Sequence, residues 1–256
     1  MNVRERMWGK AGPKDVRRRT PSKAALLGAS RRPSKGEQAT FANVKTWGGP
    51  RINSGRKAGY RPKVRHRTRP GHHASCPVHV TMRRAKGLPS FRVDRLHRLI
   101  REAIRVTRRE GFRIVEYSVQ ADHLHLLIEA DDPVTLTNGM RSFAVRVAMR
   151  VNRRVLGRKR GRVWGDRYHR RELTSPSAVR TALVYVLNNH IKHGECDVGL
   201  VDPCSSAPWF DGWQHRREPP PTRASPAQPP STWLLEKGWS TVGLGPLNIG
   251  EVPRAH

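Results

Sequence analysis

Acidic residues are scarce in this chain: 20 Asp and Glu stand against 50 Lys and Arg over 256 residues, a formal net charge of +30. Such a field attracts a polyanion and speeds its capture, while saying nothing about fold. Cysteine is almost missing. Cys76, Cys196 and Cys204 cannot complete a disulfide framework and fit a reducing compartment, the cytoplasm. Long apolar runs are absent too, none approaching the ~18 residues a spanning helix needs. The N-terminus lacks the apolar core of a signal peptide. These absences disfavour a membrane role and leave nucleic acid as the expected partner. His72-His73-x-x-Cys76-x-x-His79 suggests zinc at first sight, but its spacing matches none of the usual paired-ligand patterns. His79 belongs more simply to a strand.

What the chain has in excess is arginine. Eleven Arg and one Lys fall between Arg141 and Arg171, and guanidinium forks suit phosphate oxygens in bidentate geometry. Arg141, Arg146, Arg150, Arg153, Arg154, Arg158, Lys159, Arg160, Arg162, Arg167, Arg170 and Arg171 are the expected DNA-binding surface.

The most informative stretch is Val119-Gln-Ala-Asp-His123-Leu-His125-Leu-Leu-Ile128. In a strand, residues i and i+2 share a face, so His123 and His125 lie side by side while Leu124, Leu126 and Ile128 line the other face. Two imidazoles so placed can bind one divalent cation. About sixty residues on comes Leu183-Val-Tyr185-Val-Leu-Asn-Asn189. Ser175-Pro176 reads as an N-cap with proline at the first position, and Gly194 as a stop. Val179, Ala182, Leu183, Val186 and Leu187 form the apolar stripe of that helix. Tyr185 and Asn189, four apart, stack on one shoulder of it.

Together these motifs resemble the IS200-like single-tyrosine HUH transposase family, especially its branch of REP-associated tyrosine transposases. His123-Leu124-His125 is similar to the family's His-hydrophobic-His motif. Tyr185 with Asn189 is similar to its nucleophile and the carboxamide one turn later. Pro77-Val-His79-Val-Thr81 resembles the family's first strand, and Trp164-Gly-Asp-Arg167-Tyr168-His169 its aromatic-basic segment. The likeness covers roughly residues 75 to 200. Ala121-Asp122 stands where many relatives have Pro-Asn, and His190-Ile191 where many have Pro-Val; neither difference removes a ligand or the nucleophile.

Along the chain, residues 1–74 carry twenty Lys and Arg against three acids and read as a disordered basic arm. Residues 75–200 read as the transposase-type domain, with the order β-α-β-β-α-β-α. That is an α+β, ferredoxin-like antiparallel sheet with helices on one face, leaving the face of His123 and His125 uncovered. Its helices are expected from Phe91 to Glu110, Asp132 to Gly157 and Ser175 to Gly194, with a fourth strand or extended arm between Val163 and Leu173. Residues 201–256 form a Trp- and Pro-rich extension. Its knots around Trp209, Trp213, Trp233 and Trp239 are too apolar to float free and should dock back on the core or form a short hairpin.

The resemblance implies attack by Tyr185 on single-stranded hairpin DNA, giving a 5′-phosphotyrosine link and a free 3′-hydroxyl. It also implies Mg²⁺ or Mn²⁺ held by His123, His125 and Asn189, with His79, Glu129 and Glu116 as further neighbours. Relatives are often dimeric, so a homodimer is possible, although one tyrosine per subunit also suits a monomer. Three other readings stand beside this one: a domesticated enzyme without mobility, an inactive HUH-fold DNA-binding protein on repeated palindromes, and a basic RNA-binding protein.

Overall fold

All eight residues of the histidine strand are buried. The computed structural model describes residues 71–194, 199–216, 218–241, 243 and 245–253. The expected basic arm lies outside the described residues except for 71–74, and Cys196 lies outside them too. In chain order the elements are β1 (Val78–Arg83), α1 (Asp94–Val106), β2 (Phe112–Val119), β3 (His123–Ala130), α2 (Pro133–Arg154), β4 (His169–Glu172), α3 (Pro176–Leu187), α4 (Asn189–His193) and α5 (Trp233–Glu236). The four strands pair antiparallel in the order β2-β3-β1-β4. This is the expected ferredoxin-like α+β arrangement.

Local chemistry explains where the helices begin. The Asp132 carboxylate accepts from the Val134 and Thr135 amides at 2.7 and 3.0 Å, and Pro133 follows it. The Ser175 hydroxyl accepts from the Ala178 amide at 3.2 Å, with Pro176 next. Each cap satisfies amides that the first turn would leave unpaired. The fourth strand falls within the expected segment, Val163 to Leu173. Trp164 makes one bridge to Arg84, and regular pairing starts only at His169.

Val78, Val80, Leu124, Leu126 and Ile128 face α1 and α2, which contribute Leu96, Ile100, Ile104, Met140, Phe143 and Val147 to a single core. Gly139 lets α2 approach the sheet, because a β-carbon there would lie 2.2 Å from the Phe112 ring. Each fully buried leucine or isoleucine in such a core is worth about 1.5–3 kcal/mol.

The opposite face is not left uncovered. Val115 and Leu127 pack there under Val179, Leu183, Val186 and Leu187 of α3, and under Phe210, Trp213, Leu235, Trp239 and Leu247 of the C-terminal segment. Trp213 and Trp239 therefore dock back on the sheet while Trp233 stays exposed, and the expected single helical layer becomes two. A bulge between Ile114 and Glu116 turns the extra residue, Val115, toward this second core. Polar clamps hold the layer down. Arg180 pairs with both oxygens of Glu251 at 2.7 and 3.1 Å, and Arg92 with both oxygens of Asp202 at 2.9 Å.

The single helix expected from Ser175 to Gly194 is broken. Asn188, at φ −106° and ψ 13°, ends α3 and begins α4. Its amide nitrogen donates to the Asn248 and Glu251 carbonyls at 2.9 and 3.0 Å, which fastens the joint to the C-terminal segment. Gly194 closes α4 at φ +62°, a left-handed conformation suited to glycine.

Candidate active site

Residues opposite one another in an antiparallel pair point to the same face. The register therefore sets Thr81 beside His125, Arg83 beside His123 and His79 beside Leu127. On the far side of β1, His169 stands beside Thr81 and Arg171 beside His79. His79, Thr81, Arg83, His123, His125, His169 and Arg171 thus occupy one face, the face that α3 also covers.

The two histidines meet as the alternation requires, with ring centroids 4.6 Å apart. The Nδ1 atom of His123 lies 2.5 Å from the Asp122 carboxylate. The Nδ1 atom of His125 lies 3.1 Å from His79 Nε2 and 3.2 Å from the Thr81 hydroxyl. Both rings are thus held by their Nδ1 sides, so Nε2 is the atom each would offer a cation. Burial would raise the Asp122 carboxyl, but its hydrogen bond to His123 and the nearby Arg83 and Arg84 charges outweigh that and lower it.

Tyr185 comes to this pair from α3. Its ring lies 4.9 Å from His125 and 5.7 Å from His79, nearly perpendicular to the former. The Lys192 ammonium sits 5.5 Å from its centroid. Burial pushes the phenol above its ordinary pKa, while the Arg83 charge pulls it down. Tyr168, the other tyrosine of an aromatic-basic segment, packs instead against the core under α1 and α2. Asn189 lies beyond the helix break and is fully buried, and neither carboxamide atom has a hydrogen-bond partner among the described residues. Asn189 therefore does not share a continuous helix with Tyr185, as the spacing suggests.

The two carboxylates named as neighbours have other work. Glu129 accepts from the Ser231 and Thr232 amides at 2.8 and 2.9 Å and from the Thr232 hydroxyl at 2.8 Å, so it anchors the segment that leads into α5, whose N-cap is Thr232. Glu116 lines a cavity of about 260 Å³ with Ser206, Trp209 and Asp211, and burial raises its carboxyl to about 8. Asp122 and Thr81, which support the histidine rings, escaped the sequence reading. The signal for Asp122 was its place directly before His123; Thr81 needed the strand register. Among the described residues no group of three His, Cys, Asp or Glu side chains is arranged to hold an ion. A third protein donor would have to be an amide or a phenol.

The arginine belt divides. Arg141, Arg146, Arg150, Arg153 and Arg154 ride on α2, in the layer across the sheet from His123. Arg158 donates to the Asn152 side chain at 2.7 Å and Arg162 to the Trp164 carbonyl at 2.9 Å, so both also brace their own loop. Lys159, Arg160 and Arg167 are exposed on that loop. Arg170 is half-buried and donates to the Gly71 carbonyl at 3.2 Å, leaving Arg171 as the member of the belt placed beside His79. No helix among the described residues is long and apolar enough to cross a membrane.

Residues 73–189 match the family described as transposase, IS200-like. Among solved structures, a REP-associated tyrosine transposase bound to a REP hairpin is similar at 16% identity. The match covers 52% of this chain and 76% of that one, with a TM-score of 0.43. No curated protein matches.

Proposed function

We propose, from the match of residues 73–189 to the IS200-like transposase family, that this chain is a transposase of that kind and cuts and rejoins single-stranded hairpin DNA with Tyr185 as nucleophile. The observation that carries the proposal is the meeting of Tyr185 with His125 at 4.9 Å, beside the His123–His125 pair. Sixty residues and two elements separate them in sequence. In the cut, the Tyr185 oxygen bonds to phosphorus, the bond from phosphorus to the 3′-oxygen breaks, and the 5′ end stays on the enzyme as a phosphotyrosine. The freed 3′-hydroxyl takes up a proton. Attack by that hydroxyl, or by another DNA end, reverses the step.

Two Nε2 donors and the buried carboxamide of Asn189 would make a mixed nitrogen and oxygen set, of a kind that suits Mg²⁺ or Mn²⁺. His123, His125 and Asn189 are the residues that would hold the ion. When bound, such an ion would supply charge neutralisation at the phosphate and stabilisation of the leaving oxygen. Asp122 and Thr81 orient the imidazoles. The raised Tyr185 pKa keeps the phenol protonated at neutral pH, so its reaction requires loss of that proton as the bond forms.

The deciding experiment incubates the protein with Mn²⁺ and labelled hairpins drawn from inverted repeats beside its gene, then resolves covalent adducts in denaturing gels. An adduct in wild type and in Tyr168→Phe, lost in Tyr185→Phe, supports the assignment. An adduct that persists in Tyr185→Phe overturns it.

A further inference from the structure

Two cations flank the tyrosine, and neither belongs to the arginine-rich belt. Arg83 ends β1 on the rung of His123 and faces the same side. Its side chain is 69% exposed, and its contact with Asp122 is long, 3.6 Å, and solvated. A pair of that kind contributes little and is readily exchanged for a better anion. Lys192, exposed on α4, approaches the Tyr185 ring from the helical side. A guanidinium on the sheet thus shares the rung of His123, and an ammonium on the helix stands over Tyr185.

We infer that Arg83 and Lys192 form a phosphodiester-binding subsite, which holds a backbone phosphate of single-stranded DNA over the His123, His125 and Tyr185 rings. Three features support it. The charges come from different elements, so a phosphate seated between them meets donors from two sides. Arg83 offers a planar fork suited to two phosphate oxygens, and Lys192 a mobile point charge. The surrounding rings and Thr81 carry no anionic group, and Asp122, the nearest carboxylate, is already turned toward His123. The inference deepens the proposed tyrosine reaction by naming what aligns its substrate.

The test needs neither metal nor cleavage. Fluorescence anisotropy of labelled hexathymidylate, in EDTA over a range of NaCl, gives affinity and salt slope for wild type, Arg83→Gln, Lys192→Gln, Arg83→Lys and Arg98→Gln. Arg98 is an exposed residue of α1, in the layer across the sheet, and controls for the loss of one charge from a very basic protein. Arg83→Gln and Lys192→Gln should each lower the slope by about 0.7, the value for one lost contact on a single strand. Arg83→Lys should restore it, and Arg98→Gln should leave it unchanged. Slopes of Arg83→Gln and Lys192→Gln that match wild type or the Arg98→Gln control overturn the subsite. The Tyr185→Phe adduct assay judges the reaction separately: a subsite without an adduct would sink the chemistry alone, and an adduct without altered slopes would sink the subsite alone.

Discussion

Asp122 holds His123 by one nitrogen at 2.5 Å, so its loss should loosen the ring without unfolding the strand. Asp122→Ala is expected to lower Mn²⁺ affinity about 10–100-fold, the usual effect of removing a residue that orients a ligand; the electron paramagnetic resonance signal of free Mn²⁺ checks it. His123→Ala and His125→Ala should abolish DNA cleavage while hairpin affinity in EDTA stays near wild type, because phosphate contacts by arginine dominate binding. Retained cleavage in either would remove the histidines from the mechanism. His97 makes a different prediction. It is buried on α1, where burial first and the Arg101 charge next lower its pKa from 6.5 to about 4, with Arg92 adding to them and Asp202 and Asp94 opposing. The unfolded chain therefore binds a proton below pH 6.5 that the folded chain refuses until about pH 4, so stability falls with acid across that window. His97→Gln should flatten this part of the melting-temperature profile; an unaltered profile would mean that His97 titrates normally.

Among the elements, α3 does two jobs, presenting Tyr185 on one side and Val179, Leu183 and Val186 to the second core on the other. Leu183→Ala should cost about 2–5 kcal/mol in urea unfolding. Glu129, buried at 3% exposure, holds the start of α5 through three hydrogen bonds. Glu129→Ala should cost about 1–3 kcal/mol and speed amide exchange over residues 231–241 while β3 stays protected. Uniform acceleration across the sheet would show instead that the C-terminal layer and the sheet unfold as one unit. Helix and strand identities were legible because caps and periodicity act over a few residues, as Asp132-Pro133 and Ser175-Pro176 illustrate. The break at Asn188 was not. It depends on carbonyls of Asn248 and Glu251, some sixty residues away, and no local pattern encodes such partners.

For the molecule as a whole, the formal net charge of +30 attracts a polyanion. Changing Arg150, Arg153 and Arg154 to Gln should flatten the salt dependence of hairpin binding by about one unit per lost duplex phosphate contact. An unchanged slope would make them an ordinary solvated face of α2. These residues lie across the sheet from the tyrosine, so their loss should weaken binding while leaving the cleavage rate at saturating DNA intact.

By itself the sequence determined the order of elements, the shared face of His123 and His125, and the basic character of the surface. Strand alternation, helix capping and net charge are properties of neighbouring residues and of sums, and they need no tertiary contact. The identity of Tyr185 as the tyrosine beside those histidines was suggested by resemblance, but its approach to His125 depends on α3 crossing the sheet. Only the tertiary structure decided that the histidine face is covered, because burial of Leu127 and Val115 requires tryptophans from the far end of the chain. It likewise decided that Glu129 anchors the segment leading into α5, that Tyr168 belongs to the other core and that Arg83 stands beside His123. Each of these depends on pairing between distant segments, where packing of apolar surface and the demand of buried polar groups for partners select one arrangement that local spacing leaves open.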